Sequence, residues 1–504
     1  MKLNLQISAR LTEILRLSLV AAGIFLRLYQ YFSARSFWAD EASLALNLVE
    51  RDFAQLTLPL DYQQGAPIGF LFIEKFFMLL LGDNEFVLRL FPLAAGILAL
   101  FLMARITREH LGVSGLFALA VFAFGWDSIY YSSELKQYSS DAAAVLFLLI
   151  LALPLLKGEG TARDAVVLGI AGSLILWVSH PSFFALAAIG LALLVEKALC
   201  RNSIPLGRLA ALAAVWLASF GVQYVVSLRR LAADEFLRNY WSKAFMPLPP
   251  WENKAWFFNT YLSMMDLAVS TEDAAIYLIP FLAAAGAVSL LIRRRGLGLT
   301  LLFLPLMALT ASALQTYPLK GRFMLFLAPP FLLILSEGLG RVYSFVSKWS
   351  RPLALVLSLL PALWLSFFPA RVSFQEMQVW RRNAGLRPVI ACLAAKRTPG
   401  DFIYVYQSAE PSFRYYAPLF GVETEGKDVL VAKSVPQKKR ALDGFFKDLD
   451  SLSGRVWFVF ADIVDCGGCE GDPQAFYVAE LDARGIPLDH CGGIEANAYL
   501  YKLP

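Results

Sequence analysis

Eleven apolar blocks dominate the first 370 residues, and they constrain the fold more than any other feature of the chain. A helix needs about 20 predominantly apolar residues to cross the hydrocarbon core of a bilayer. Most blocks approach that length: 13–31, 86–104, 112–126, 138–156, 164–179, 182–199, 206–227, 274–292, 297–316, 323–340 and 352–369. Charged residues make up 17% of the chain, against about a quarter in an ordinary soluble domain. We therefore predict a polytopic α-helical membrane protein with about 11 transmembrane helices.

The first block carries two cations, Arg16 and Arg27. Long basic side chains can extend from a helix toward the membrane interfaces, so both are compatible with a span. A signal peptide would need a small-residue cleavage site after the block, and none is evident. We interpret this block as the first transmembrane helix.

The distribution of Lys and Arg among the loops predicts the orientation. Basic residues concentrate in cytoplasmic loops. One alternating set of loops carries Lys2, Arg10, Arg105, Arg108, Lys157, Arg163, Lys197, Arg201, Arg208, Arg293, Arg294, Arg295, Arg341, Lys348 and Arg351. This predicts a cytoplasmic N-terminus and, with an odd number of spans, a periplasmic C-terminal domain. Because that domain lacks an Asn-X-Ser/Thr site and the chain lacks retention signals, we expect a bacterial inner (plasma) membrane.

The composition changes after residue 370, and residues 371–504 are mixed like a normal globular domain. Residues 401–407 and 455–461 are rich in β-branched and aromatic residues and predict strands, while 412–418 and 437–449 predict helices. We therefore predict a transmembrane domain over 1–370, with long outer loops 32–85 and 229–273, and a small α/β extracytoplasmic domain over 371–504. The second domain either caps an outer cavity or recognises the acceptor.

The cysteines favour a structural disulfide in the C-terminal domain. Cys466 and Cys469 have CxxC spacing, but there is no second CxxC for a zinc ribbon. In an extracytoplasmic domain a disulfide is the better interpretation, with Cys491 as a partner for either. Cys200 and Cys392 look isolated in the sequence.

Two adjacent carboxylates, Asp40 and Glu41, lie about ten residues beyond the first span. Such a pair suits chemistry on a sugar: one can accept a hydroxyl proton while the other orients it, binds a metal or stabilises developing positive charge. The alternative is an acidic loop with Trp38 as an interfacial anchor.

Other polar residues lie at the same predicted outer side. Glu134, Lys136 and Tyr138 lie at the outer end of the fourth block, and a lysine there can bind a lipid phosphate or extend to headgroups. His180 interrupts two apolar blocks; one histidine makes no metal site, so a hydrogen-bonded helix end is the alternative to a ligand role. Lys320 and Arg322 form another cationic pair, which could equally anchor a helix. No basic run interleaved with aromatics suggests nucleic acid.

Five short motifs occur in order between residues 10 and 345: Trp38–Glu41, Gly65–Ile68, Gly82–Pro92, Tyr131–Tyr138, and Gly321–Phe323 before Ala328–Pro330. This series resembles the GT-C membrane glycosyltransferases that use polyprenyl-phosphate sugars. It is most similar to the branch of bacterial protein O-mannosyltransferases and lipid A aminoarabinose transferases. Ala66-Pro67 departs from the His-Pro-Pro or Pro-Pro of many relatives.

The resemblance implies an inverting transfer of a sugar from a polyprenyl-phosphate carrier to a hydroxyl of a glycan, lipid or protein acceptor at the outer face. It implies Asp40 as the base, Glu41 as its acidic neighbour, and Lys136, Lys320 and Arg322 as ligands of the lipid phosphate. Glu134, Tyr138 and His180 are further donor-site residues. Some relatives use a divalent metal and others do not, so the cofactor stays open.

The alternative function is a transporter or flippase of a lipid-linked or small substrate. Transporters place ionisable or helix-breaking residues near the bilayer midplane and often show paired halves. Here most mid-span positions are apolar and no duplication is visible, which favours the enzyme.

Overall fold

The computed structural model describes residues 9–199, 204–270, 275–379, 385–432, 438–463, 472–493 and 495–504. Numbered along the chain, its α-helices are α1 (Ala9–Phe32), α2 (Ala39–Glu50), α3 (Ile68–Leu81), α4 (Leu90–His110), α5 (Gly115–Phe124), α6 (Trp126–Tyr130), α7 (Tyr138–Leu156), α8 (Ala162–Ile175), α9 (Ser182–Ala198), α10 (Leu206–Gln223), α11 (Arg229–Ala232), α12 (Glu235–Tyr240), α13 (Lys254–Val269), α14 (Ala275–Arg293), α15 (Arg295–Ala313), α16 (Ala328–Val346), α17 (Arg351–Val379), α18 (Leu386–Lys396), α19 (Glu410–Tyr416), α20 (Lys438–Leu449) and α21 (Pro473–Arg484). The strands are β1 (Phe402–Val405), β2 (Val429–Val431), β3 (Gly454–Ala461), β4 (Ile486–Gly492) and β5 (Ala496–Leu503).

All eleven apolar blocks contain an α-helix, which confirms the predicted helical membrane class. Within the described part of the chain, seven helical segments are long and apolar enough to span a bilayer. They contain α4, α7, α10 together with α11, α14, α15, α16 and α17. Helix α5 is apolar but has only 10 residues, and α8 and α9 have 14 and 17. The chain is thus a multi-pass membrane protein, while the count of about 11 crossings stays a prediction.

The chain divides into two compact units. The membrane unit consists of Met1–Ser33, Ala66–Phe76 and Arg89–Val379, and the α/β unit consists of Ala34–Gly65, Phe77–Leu88 and Trp380–Pro504. The first long outer loop therefore belongs largely to the same compact unit as the C-terminal region. The domain limits predicted from composition, 1–370 and 371–504, remain predictions.

Close helix packing in the membrane unit depends on small residues. Where α14 meets α16, a Cβ at Gly286 would collide with the carbonyl oxygen of Ile334, and a Cβ at Gly338 would collide with that of Leu282. Helix association in lipid relies on such close backbone approach, because apolar side chains gain little by leaving an apolar solvent. These glycines therefore specify where the two helices cross.

Arg27 is fully buried and does not extend to the interface, contrary to the expectation from sequence. Its guanidinium donates to the carbonyl oxygens of Phe122 at 3.2 Å and Ala123 at 3.3 Å. These carbonyls belong to the last turn of α5, whose final C=O groups have no partner within the helix. A buried cation at a helix C-terminus also interacts favourably with the helix dipole, so Arg27 connects α1 to α5. Arg16 is likewise buried, with Glu13 at 2.6 Å.

The α/β unit has one five-stranded sheet in the order β2-β1-β3-β5-β4. Strands β2, β1 and β3 are parallel, and β5 is antiparallel to both β3 and β4. On one face the sheet buries aromatic residues against α20 and α21: Tyr404, Tyr406, Phe458, Phe460 and Tyr501. Because alternate strand residues point to opposite faces, Ile403 and Trp457 lie on the other face. The prediction of a small α/β domain is confirmed.

A disulfide joins Cys392 on α18 to Cys491 on β4, with their Cα atoms 5.9 Å apart. Cys491 is thus disulfide-bonded as expected, but its partner is the cysteine that looked isolated in the sequence. The register pairs Cys491 with Ala498 and Ala498 with Val459, so Cys491 lies on the face opposite α20 and α21. The disulfide consequently places α18 on that second face. Cys466 and Cys469 lie outside the described residues.

Candidate active site

The predicted acidic pair lies in the first turn of α2, within the α/β unit. Trp38, the N-cap residue, is extended and offers no side-chain hydrogen bond to the helix. Carboxylates in a first helical turn are stabilised by the helix dipole, which adds partial positive charge at this end. The sequence therefore places two acids where the backbone favours their ionised form.

Glu41 is completely buried and forms an ion pair with Arg35, with 3.0 Å between Oε2 and Nη1. Both side chains are excluded from solvent: 0% of Glu41 and 2% of Arg35 is exposed. A buried charge needs a compensating partner, because removal from water costs several kcal/mol per ion. Glu41 is therefore held by Arg35 within the protein, and its predicted catalytic role stays a prediction.

Asp40 differs from its neighbour, because it is only half-buried. Its Oδ1 accepts a hydrogen bond from Gln64 Nε2 at 3.1 Å. Gln64 reaches Asp40 because the intervening chain folds back onto α2, where the Asn47 side chain bonds both the N–H and the C=O of Asp61. Of the two acids, Asp40 is the one that keeps partial exposure as a residue, although its Oδ2 atom is buried.

The segment before α2 is anchored by α19. Phe37 is fully buried and donates its N–H to the Tyr416 hydroxyl at 2.6 Å. The same hydroxyl donates to Glu85 Oε1 at 3.0 Å, and Arg387 pairs with that oxygen at 3.1 Å. Glu85 belongs to the third sequence motif, so this motif supports the acidic pair through Tyr416.

Asp462, which follows β3, accepts the N–H of Ala39 through Oδ2 at 2.9 Å. Burial, together with Asp40, Glu41 and Glu495 nearby, raises the pKa of the Asp462 carboxyl to about 7, although the Ala39 N–H opposes this rise. Nothing in the sequence singled out Asp462, because its role depends on a partner more than 400 residues away.

In the membrane unit, the structure brings together Glu134, Arg322 and Tyr138. Glu134 follows a short 3-10 helix (Tyr131–Ser133) and is fully buried, with its Oε1 3.9 Å from Arg322 Nη1. The Arg322 guanidinium lies over the Tyr138 ring, 5.5 Å from its centre. A cation over an aromatic face is attracted by the ring quadrupole, so Arg322 is oriented from two sides. Its side chain keeps 20% exposure.

The remaining predicted residues of the membrane unit differ in their surroundings. Lys136 is buried, only 3% exposed, in the same turn as Glu134. Lys320 is exposed, although it lies two residues before Arg322. His180 is half-buried in the turn between α8 and α9. The two cations of the last motif therefore differ: the Arg322 side chain joins Glu134 and Tyr138, whereas Lys320 is exposed.

Asp141, in the first turn of α7, and its neighbour Ser179 were missed by the sequence reasoning. Among the described residues, the buried atoms Asp141 Oδ1, Ser179 Oγ and His180 Nε2 make no hydrogen bond of good geometry, although Ser179 lies close enough to Asp141 to interact with it. Asp141 also lies close enough to Tyr317 for their charges to interact. Unsatisfied buried polar atoms are rare, and an ionisable residue inside an apolar span indicates function. The second of these features, the ionisable Asp141 inside an apolar block, was visible in the sequence.

No group of three or more His, Cys, Asp or Glu side chains converges to form a metal site within the ranges that the structure describes. Cofactor dependence therefore stays open.

Comparison with solved structures shows the fold. The chain is similar to ArnT from Cupriavidus metallidurans in the apo state, with 13% identity, a TM-score of 0.52 and coverage of 96% of this chain and 97% of ArnT. ArnT bound to undecaprenyl phosphate matches with 12% identity, a TM-score of 0.51 and the same coverage. The Archaeoglobus fulgidus oligosaccharyltransferase in complex with Zn and sulfate matches with 13% identity and a TM-score of 0.55, over 88% of this chain and 67% of the other.

These matches confirm the GT-C fold that the resemblance of the motifs implies. No protein-family model matches the chain, and no curated protein sequence matches it either. At such identities the likeness establishes architecture, and the chemistry has to be argued from this chain's own residues.

Proposed function

We propose that this protein is an inverting glycosyltransferase that moves a sugar from a polyprenyl-phosphate carrier to an acceptor hydroxyl at the outer face of the membrane. The observation that carries the proposal is the unequal environment of the acidic pair. Glu41 is buried against Arg35, whereas Asp40 is half-buried and has one oxygen oriented by Gln64. A general base must be oriented toward the proton that it takes, and Asp40 is the partly exposed acid of the pair whose carboxylate a side-chain hydrogen bond orients.

The reaction needs one displacement at the anomeric carbon. The acceptor oxygen forms a bond to C1 while its proton passes to Asp40, and the bond from C1 to the phosphate oxygen breaks. The polyprenyl phosphate leaves with the electron pair and an additional negative charge. Because attack and departure occur on opposite sides of C1, the configuration inverts.

The leaving phosphate needs fixed positive charge, because developing charge is best stabilised by preorganised cations. Arg322 is oriented by Glu134 and Tyr138 yet partly exposed, and we assign it and Lys136 to the phosphate. Lys320 is an exposed auxiliary cation. We assign the unsatisfied atoms of Asp141, Ser179 and His180 to hydroxyl groups of the donor.

The ArnT structure that contains undecaprenyl phosphate supports a polyprenyl-linked donor. The acceptor, whether glycan, lipid or protein, and the sugar are further parts of the proposal. We place the protein in a bacterial inner membrane, with a cytoplasmic N-terminus and a periplasmic α/β unit. The disulfide between Cys392 and Cys491 supports this orientation, because disulfides persist in oxidising compartments.

The test uses the full chain in nanodiscs, with radiolabelled polyprenyl-phosphate sugars as donors and a membrane extract as acceptor. Wild type is compared with Asp40→Asn and with Glu50→Gln, which changes an exposed acid at the far end of the same helix. We expect Asp40→Asn to lose transfer and Glu50→Gln to retain it. Arg322→Gln should weaken donor use.

Retention of transfer by a folded Asp40→Asn variant would show that another group is the base. Absence of transfer by wild type with every donor, combined with movement of labelled lipid between leaflets, would support the transporter instead. Thermal melts of each variant show whether loss of transfer reflects loss of folding.

A further inference from the structure

The carboxyl edge of the small sheet contains a topological switch point. Strand β1 is followed by α19, which contacts α18, while β3 is followed by α21 on the opposite face. Adjacent parallel strands whose outgoing connections lie on opposite faces open a crevice at their carboxyl ends, and open α/β sheets bind ligands there. Residues 406–408 after β1 and Asp462 after β3 border this crevice.

The start of α2 occupies this position. Ala39 is the first residue of α2, and its N–H is bound by Asp462 Oδ2 at 2.9 Å. The first N–H groups of a helix have no partner within it, and Trp38 supplies no side-chain acceptor. Asp462 therefore performs a capping function for a helix remote in sequence. The next peptide along α2 carries Asp40.

The backbone at Asp462 is adapted to this contact. Its φ is 54°, in the left-handed region that non-glycine residues seldom adopt. Aspartate tolerates this region better than most residues, because its short side chain can bond locally. A residue held in such a conformation at the end of a strand indicates that the direction of its side chain matters.

We propose that Asp462 is a positioning residue for Asp40, holding the first turn of α2 at the carboxyl edge of the sheet so that the Asp40 carboxylate is presented in one orientation. This inference rests on the proposed transferase function. The C-terminal part of the α/β unit then contributes directly to the geometry of catalysis.

Asp462 also acts through charge. Three acidic groups act on its carboxyl, Asp40 and Glu41 on α2 and Glu495 before β5, and Glu41 is itself paired with Arg35. Ionisation of Asp462 adds negative charge beside Asp40 and strengthens Asp40 as a base. Because burial and these acids raise the pKa of Asp462 to about 7, the wild-type kcat should rise as the pH increases through about 7.

The experiment compares four variants of the full chain in nanodiscs: Asp462→Ala, Asp462→Asn, Asp40→Asn and Asp472→Ala. Asp472→Ala is the matched control, because Asp472 caps α21 of the same unit through the N–H of Gln474 at 3.0 Å. We expect Asp462→Ala to lower kcat about 10- to 100-fold, as small misplacements of reacting groups do. Asp472→Ala should stay near the wild-type kcat.

Asp462→Asn retains an oxygen acceptor for Ala39 but cannot ionise. It should keep most of kcat at pH 6 and lose the rise near pH 7, which a merely structural role would not predict. Hydrogen exchange of the peptide covering residues 37–44 gives a readout independent of turnover: Asp462→Ala should accelerate it and Asp472→Ala should not.

One outcome is an Asp462→Ala variant with the wild-type kcat, pH profile and exchange rate, together with an inactive Asp40→Asn variant. This outcome would overturn the role of Asp462 and leave the proposed function intact. Full activity of Asp40→Asn would instead refute the base assignment. Unchanged exchange of residues 37–44 in Asp462→Ala would refute the positioning contact, whatever the activity.

Discussion

Replacing Glu41 by glutamine should loosen α2 by a predictable amount. The substitution keeps the shape of the side chain but removes the charge that faces Arg35 at 3.0 Å, and both side chains are almost fully buried. Breaking a buried ion pair by removing one partner costs about 3–5 kcal/mol. Since 1.4 kcal/mol corresponds to a factor of ten, amides of α2 should exchange roughly 140- to 3,700-fold faster if they exchange by local opening.

The assay is hydrogen exchange of the full chain in nanodiscs, followed in peptides that cover residues 39–50, with peptides from β3 as the internal reference. A double variant, Arg35→Met with Glu41→Leu, removes both charges together. Replacing a complete buried pair by apolar residues is often neutral or stabilising. The double variant should therefore recover most of the protection that Glu41→Gln loses.

Two results would refute this reasoning. Wild-type exchange of residues 39–50 in Glu41→Gln would show that the pair does not stabilise α2. A double variant as unprotected as the single one would show that Glu41 acts through contacts other than Arg35. In either case the distinction between a structural Glu41 and a reactive Asp40 would have to be abandoned.

Three further predictions concern stability, each measured by thermal melts of the full chain. Gly338→Ala should lower the melting temperature strongly, because the added Cβ meets a carbonyl oxygen of α14. Gly340→Ala should lower it less, because its Cβ meets only the Ser114 side chain, with Oγ at 3.0 Å and Cβ at 3.2 Å. Burial and acidic neighbours raise the pKa of Asp462 to about 7. The protonated carboxyl therefore contributes its full stabilisation of the fold below about pH 4, and this stabilisation is lost as the pH rises through 7. Wild type should therefore lose more stability between pH 5 and pH 8 than Asp462→Asn; an equal loss would contradict this. Cys392→Ser should destabilise the chain by about 2–4 kcal/mol and abolish any effect of a reductant on the melt; a reductant effect that persists would point to another disulfide.

Local sequence patterns were sufficient to predict the helices of the apolar blocks and the α/β class of the C-terminal domain. Each apolar block became a helix because a bilayer requires every backbone polar group to be satisfied within its own segment. The predicted strands at residues 401–407 and 455–461 became β1 and β3. Both depend on residues that are close together in the chain.

Sequence reasoning was less successful where partners are distant. Cys392 looked isolated because its partner lies 99 residues away. Arg27 looked like an interfacial residue because the C=O groups that it binds belong to α5, which follows about 95 residues later. In both cases the relevant group is supplied by another element, and no local pattern reports that element's position.

The acidic pair shows the same division between local and tertiary information. The sequence by itself determined that Asp40 and Glu41 stand next to each other and that both favour the start of a helix. Only the tertiary structure decided that Glu41 is buried against Arg35, that Gln64 orients Asp40, and that Asp462 holds the first turn. Adjacent residues of a helix point in directions about 100° apart, so neighbours in sequence meet different surroundings. Those surroundings exist only once the chain has folded.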